Sequence, residues 1–284
     1  MAKHPSVAIP VSPPALDRPD PHPLNPVELG LGGIAYLGKA AILVVTSAGS
    51  LVRPSETSTS LITGTTKQVD RLVGLGYGVV AASHVGMGSF LAMQAYFGAT
   101  FVDGIGPVVG VGLIRNLAPL LSGFLLAVLV SVIYVADLRT EPSPSKRDVA
   151  VRVLASMVAG PILAAWGALV GVGIGYLVAK SMMGITEPMF FDLFLEMLWA
   201  RDIVGLVVKG VAFGGVAGLL ACHEGVKVLK PGERRDGMTA ISRAACRASV
   251  LASVAILAIN AGWFMFVYHA GPAFGPTLLM PPGR

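Results

Sequence analysis

The sequence predicts an all-α integral membrane protein, built from an N-terminal interfacial helix and five transmembrane helices. Three observations predict it. Of 284 residues, 54% are hydrophobic and only 13% charged, with a mean hydropathy of +0.73. An ordinary soluble domain has about 25% charged residues, so this chain has too few to cover a water-facing surface. Five apolar stretches are each long enough to cross about 30 Å of hydrocarbon at about 1.5 Å per residue. Lys and Arg gather in alternate connections between those stretches.

Residues 1–27 are Pro-rich and carry no apolar run, so they read as a disordered tail. They lack the short apolar core and small-residue cleavage site of a signal peptide. Residues 28–53 hold an apolar stretch, Leu29 to Val52, interrupted by Lys39 and rich in Gly and Ala. Its length permits a crossing or an interfacial helix, and the interfacial helix is the expectation. Arg53 and Pro54 close it with a charge and a helix breaker. Residues 54–284 form the membrane domain. It opens on a polar segment containing Lys67, Asp70 and Arg71, and its spans fall near 72–102, 108–136, 150–179, 203–222 and 248–268. In lipid only helices and closed barrels satisfy the backbone. Barrel-type alternation is absent, which leaves helices.

Charge orients the spans. The connection at 137–149 carries Arg139, Lys146 and Arg147. The one at 223–247 carries Lys227, Lys230, Arg234, Arg235, Arg243 and Arg247. Alternating spans put both on one side, and the positive-inside rule makes that side cytoplasmic. The N-terminus is then cytoplasmic and the C-terminus outside. The opposite connections are poor in cations: 103–107 has none, and 180–202 sets Lys180 and Arg201 against Glu187, Asp192, Glu196 and Asp202. Small residues repeat at every fourth position in Gly167, Gly171, Gly175 and in Gly210, Gly214, Gly218. Such rows let helix backbones approach closely, within one chain or between subunits.

Several functional classes are excluded. A catalytic constellation and a phosphate-binding G-x-x-x-x-G-K-[ST] are absent, so the chain is no P-loop ATPase and no enzyme is expected. Gly74, Gly76 and Gly78 mimic half a dinucleotide fingerprint, but they head a membrane span without a preceding strand. Cys222 and Cys246 lack metal-ligand spacing. His223 and Glu224 are sequence neighbours and do not share a helix face. No metal and no cofactor are expected. The net charge of +5 sits beside the spans, so no nucleic-acid partner is expected either. His84, inside the first span, reads as a hydrogen-bonded core histidine. Arg115 stands out, because a cation inside an apolar stretch is costly and marks a site by default. It either snorkels to headgroups, anchors an anionic lipid headgroup, or pairs with another subunit.

Four passages resemble the MlaE/YrbE permeases, the membrane subunits of ABC-type lipid transporters that work with Mce-domain proteins. They are Gly88-Ser-Phe-Leu-Ala-Met-Gln94; Leu113-Ile-Arg115-Asn116-Leu-Ala-Pro119; Phe213 through Cys222 to Gly225; and Gly237-Met-Thr-Ala-Ile-Ser-Arg243 through Arg247 to Val250. Their order and spacing agree with the family from about residue 30 to residue 268. The resemblance implies a permease subunit in the cell's inner (plasma) membrane that moves phospholipid or another lipid. Its implied partners are a second permease subunit, in a homo- or heterodimer, a cytoplasmic P-loop ATPase, and an Mce-domain protein on the outer face. By the same resemblance Arg115, Asn116, Gln94 and Leu91 are the expected lipid-binding residues. Asp137, Arg139 and Thr140 are the expected ATPase-coupling residues.

The chain departs from the family's pattern in three places. Asn116 stands where the family has Glu, and Asn260 where it has Asp. The amphipathic coupling helix of the family, before span three, is replaced by a shorter segment with Pro142 and Pro144. The alternative expectation is therefore a degenerate, non-transporting permease, acting as a membrane scaffold or as the inactive half of a heterodimer. A secondary transporter is disfavoured, because the predicted spans hold almost no acidic residue.

Overall fold

The computed structural model describes residues 58–98, 106–141, 144–227 and 237–269. The expected tail at 1–27 and interfacial helix at 28–53 lie outside the described residues, as do most of 103–107, residues 228–236 and the segment after 269. Among the described residues the protein is all helical, with no strand. Its helices are α1 (Ser58–Gly98), α2 (Ala118–Thr140), α3 (Lys146–Met183), α4 (Glu187–Met197), α5 (Ala200–Val226) and α6 (Met238–Trp263). π-helical turns lead into α2 at Pro107–Val111 and Leu113–Leu117 and extend α6 at Phe264–His269.

Among the described residues, five helical segments are long and apolar enough to cross a membrane: Leu61–Phe97, Val108–Thr140, Lys146–Met183, Ala200–Val226 and Met238–Tyr268. The protein is thus a multi-pass membrane protein, and its described residues hold the five expected candidate spans. The bounds differ in an informative way. From Ser58 on, the polar segment before residue 72 forms the first turns of α1. At about 1.5 Å per residue, α1 and α3 run well beyond the hydrocarbon thickness, so their charged N-terminal turns project from it. The region 180–202 is not a plain loop either. It contains α4, opened by Glu187 and Pro188 in its first turn. Asp202 belongs to the first turn of α5.

Side-by-side packing of α1 and α3 is parallel. The chain neighbours Gly64 with Val151, Gly76 with Leu163, and Gly88 with Gly171, each step moving the same way along both helices. A Cβ on Gly88 would collide with the Gly171 carbonyl, and one on Gly167 with the His84 ring. The glycine row of α3 therefore makes room for α1. The row on α5 packs antiparallel on α3: Gly210 lies against Gly160 and Pro161, Gly214 against the Ser156 carbonyl, and Gly218 against Ser156 and Val153. Both small-residue rows are used within the chain, as van der Waals packing in lipid requires.

α3 starts at a capping box. Ser145 Oγ accepts from the Asp148 N–H, and the Asp148 carboxylate accepts from the Ser145 N–H at 3.0 Å. It ends at Gly184, whose φ of +64° is a left-handed conformation that favours glycine. α4 buries Phe190 and Phe194 against the turns that precede α2, where Gly106 and Gly110 leave no space for a side chain.

Candidate functional site

Arg115 sits in the second π-helical turn, Leu113–Leu117, at the end of the bundle where α5 begins and α6 finishes. It does not merely snorkel. Its Nε and Nη2 donate to the two carboxylate oxygens of Asp202 at 2.9 and 3.0 Å. This bidentate fork is the strongest arrangement available to an Arg–carboxylate pair. The Asp202 side chain is fully buried. It also accepts from the Tyr268 hydroxyl at 2.6 Å and from the Trp199 N–H at 3.2 Å. One carboxylate thus ties the lead-in of α2, the start of α5 and the π-helical end of α6. Its place in the first turn of α5 adds the favourable interaction of an anion with a helix N-terminus.

Lys209 lies two turns further along α5 and is 1% exposed. Its ammonium donates to the Arg115 carbonyl oxygen and reaches Asn260 Oδ1 at 3.5 Å. The Phe264 ring lies 5.2 Å below the ammonium. Asn260 Nδ2 donates to Asn116 Oδ1 at 3.0 Å, linking α6 to the Arg115 turn. Arg201 stacks on Trp199 at 3.8 Å and approaches the Tyr268 ring at 4.8 Å. Three cations, Arg115, Arg201 and Lys209, therefore surround one carboxylate. The cluster is an electropositive, hydrogen-bonded site inside an apolar end of the bundle.

The structure brings Arg115 and Asn116 together and leaves Gln94 and Leu91 apart. Gln94 is exposed on α1, and Leu91 packs beside the apolar cluster of Ala92, Val109, Val111 and Leu113. Asp202 and Lys209 were missed as site residues. In sequence Asp202 falls in the connection 180–202, although alternation of the spans puts it at the same end as Arg115. Lys209 carried the signal that singled out Arg115, a charge within an apolar run. The acidic partner absent beside Arg115 in sequence is supplied by Asp202 from a different helix.

The opposite end carries the other expected residues. Asp137 accepts from Arg71 at 2.6 Å, joining α2 to α1, and Thr140 is exposed at the end of α2. Arg139 is 5% exposed and turned inward. It donates to the Glu224 carbonyl at 3.2 Å and the Ala240 carbonyl at 3.3 Å, which gathers α2, α5 and α6. Glu224 in turn meets Arg247 at 3.5 Å and Lys227 at 3.6 Å. The two cation-rich connections assigned to one side by charge do meet at one end of the bundle. His84 is buried, with Nδ1 donating to the Val80 carbonyl at 2.7 Å. Among the described residues, no group of His, Cys, Asp and Glu has the makings of a metal site.

Comparison with known proteins agrees with this architecture. The family described as Permease MlaE matches residues 65–266. A probable ABC transporter permease protein of Rickettsia typhi is 28% identical over 198 residues, 64% of this chain and 74% of the relative. One of Rickettsia bellii is 26% identical over 240 residues, 79% of this chain and 89% of the relative. One of Synechocystis is 25% identical over 195 residues, 63% of this chain and 71% of the relative.

Proposed function

The chain belongs to the MlaE permease family, and on that premise we propose that it is the membrane subunit of an ABC-type transporter that moves phospholipid or another lipid. Its partners are a second permease subunit, a cytoplasmic ATPase and an Mce-domain protein on the outer face. The chain itself hydrolyses no ATP. It resides in the inner membrane, with the Arg139 end cytoplasmic and the Arg115 end outward. The observation that carries this reading is the cluster of Arg115, Arg201 and Lys209 around the buried carboxylate of Asp202. In an apolar environment such a cluster favours an anionic headgroup, while the surrounding lipid-facing helices accept acyl chains. Arg115 contacts the headgroup, Asn116 and Asn260 hold the α2 lead-in against α6, and Gln94 and Leu91 border the lipid path along α1. Arg115 is held by Asp202, so it presents a fixed rather than a mobile donor.

ATP-driven closure at the cytoplasmic end would reach the cluster through α2 and α5, which join both ends. Asp137 and Thr140 lie on the surface that an ATPase would contact, and Arg139 positions them. The test is affinity purification of the full chain from native membranes, followed by reconstitution with its partners. Recovery of an ATPase and an Mce-domain protein, with lipid transfer that requires ATP, is expected. Recovery of neither overturns the assembly. Arg115→Ala lowers co-purifying anionic lipid on this reading, and unchanged lipid content removes Arg115 from the site.

A second reading rests on a specific observation. α2 ends at Thr140 and α3 begins at Lys146, a connection too short for an amphipathic coupling helix. The chain would then be the non-transporting half of a heterodimer, with its partner alone engaging the ATPase. Grafting residues 137–149 onto an active homologue separates the two. Retained turnover favours the transporting subunit, and lost turnover favours the inactive half.

A further inference from the structure

The Arg139 end holds a second cationic feature, distinct from the Arg115 cluster. Between the N-terminal turns of α1 and α3 lies a cavity of about 330 Å³. α1 contributes Gly64, Lys67 and Gln68, and α3 contributes Arg147, Asp148 and Arg152, with Val151 between them. Three cations thus face one carboxylate. That carboxylate is already engaged, because Asp148 Oδ2 accepts from Ser145 Oγ at 2.5 Å and from Ser145 N at 3.0 Å. Glu141 reaches Arg152 only through Nη2, at 3.4 Å. The Arg152 side chain is 11% exposed. That long contact is a weak one for a mostly buried guanidinium.

The depth of the cavity indicates what kind of anion. Lys67 precedes Leu72, where the apolar run of α1 begins, by a little over one helical turn, or about 8 Å. Arg147 stands three residues, or about 5 Å, before residue 150, where the third apolar stretch begins. The polar layer on each side of the hydrocarbon is about 5–8 Å deep. The cavity therefore opens at headgroup level. Basic pockets between membrane helices at this level are suited to anionic lipid headgroups, and an Arg fork matches phosphate oxygens in pairs.

We propose that this cavity binds a phosphate-bearing anion, the phosphodiester of an anionic lipid headgroup, held by Lys67, Arg147 and Arg152. The bound group joins the N-terminal turns of α1 and α3 as a resident lipid, separate from any cargo near Arg115. The proposal does not depend on the transport reading.

The test uses the full chain in detergent, with phosphatidylglycerol, phosphatidylcholine and inorganic phosphate as probes and native mass spectrometry as the readout. Phosphatidylglycerol is retained about tenfold more tightly than phosphatidylcholine by the unmodified protein. The Lys67→Ala/Arg147→Ala variant weakens that retention by about thirtyfold, the sum of two near-surface cations. The Lys67→Arg/Arg147→Lys variant keeps it. Displacement by millimolar inorganic phosphate shows that the site reads the phosphate alone, and resistance to it assigns the whole lipid. Equal retention of the two lipids overturns the proposal without any variant having to fold. So does a double alanine variant within twofold of the unmodified protein. An Arg115→Ala variant separates the two sites: if it alone abolishes phosphatidylglycerol retention, the cavity is not the site.

Discussion

At the Arg115 end, one fully buried carboxylate accepts four hydrogen bonds and joins three helical elements. At the Arg139 end, ionic contacts are spread over several pairs of 2.6–3.6 Å, and two of the cations, Arg71 and Arg247, are 43% and 48% exposed. The first arrangement has one geometry and resists displacement, because breaking it strands a charge in a low-dielectric place. The second can exchange partners with water at little cost. The asymmetry leaves one end able to rearrange while the other holds Arg115 in one geometry.

The largest effect is expected at Asp202. Asp202→Ala strands the Arg115 guanidinium and removes the anchor of Tyr268, costing about 3–5 kcal/mol. Thermal unfolding in detergent measures it. The double variant Arg115→Met/Asp202→Leu recovers most of the loss, since replacing a whole buried pair is far cheaper than breaking it. A single-variant loss below about 1 kcal/mol would erase the contrast between the ends.

Next comes the strongest link at the other end. Arg139→Met leaves the Glu224 and Ala240 carbonyls without their charged donor, and about 2 kcal/mol is expected. Between the two ends, Gly214→Val drives a side chain into the Ser156 carbonyl of α3. Overpacking there costs about 1–3 kcal/mol. The same change at Gly74, which has open space around it, acts as the control and stays near the wild-type midpoint. The smallest effect is expected for Arg71→Ala, about 0–1 kcal/mol and declining with added salt, because its pair with Asp137 is half exposed. A salt-insensitive loss above 2 kcal/mol would make the Arg139 end as rigid as the other.

Much of the fold was legible because lipid imposes simple rules. Apolar length gave five spans, and the placement of Lys and Arg sorted their connections into two groups. The structure brings those connections together as sorted, for example through Arg139, Glu224 and Ala240. The glycine rows announced close packing. Their partners were not legible, because the Gly88–Gly171 and Gly160–Gly210 approaches join residues far apart in sequence. The helical start of α1 is not legible because its polarity hides it from an apolar-run criterion, although a helix leaving the bilayer has every reason to become polar.

The sequence by itself determined that the chain lives in the bilayer, that it holds five long apolar stretches after residue 71, and that Arg115 needs an explanation. Those conclusions rest on transfer free energies, which are properties of residues and short runs. Only the tertiary structure decided what answers Arg115. The local sequence offers Asn116, a neutral neighbour, and the acid comes instead from Asp202 on α5, joined by Tyr268 from the end of α6. A buried charge is compensated by whatever lies within hydrogen-bonding distance in space, and helix packing, not chain order, sets that distance.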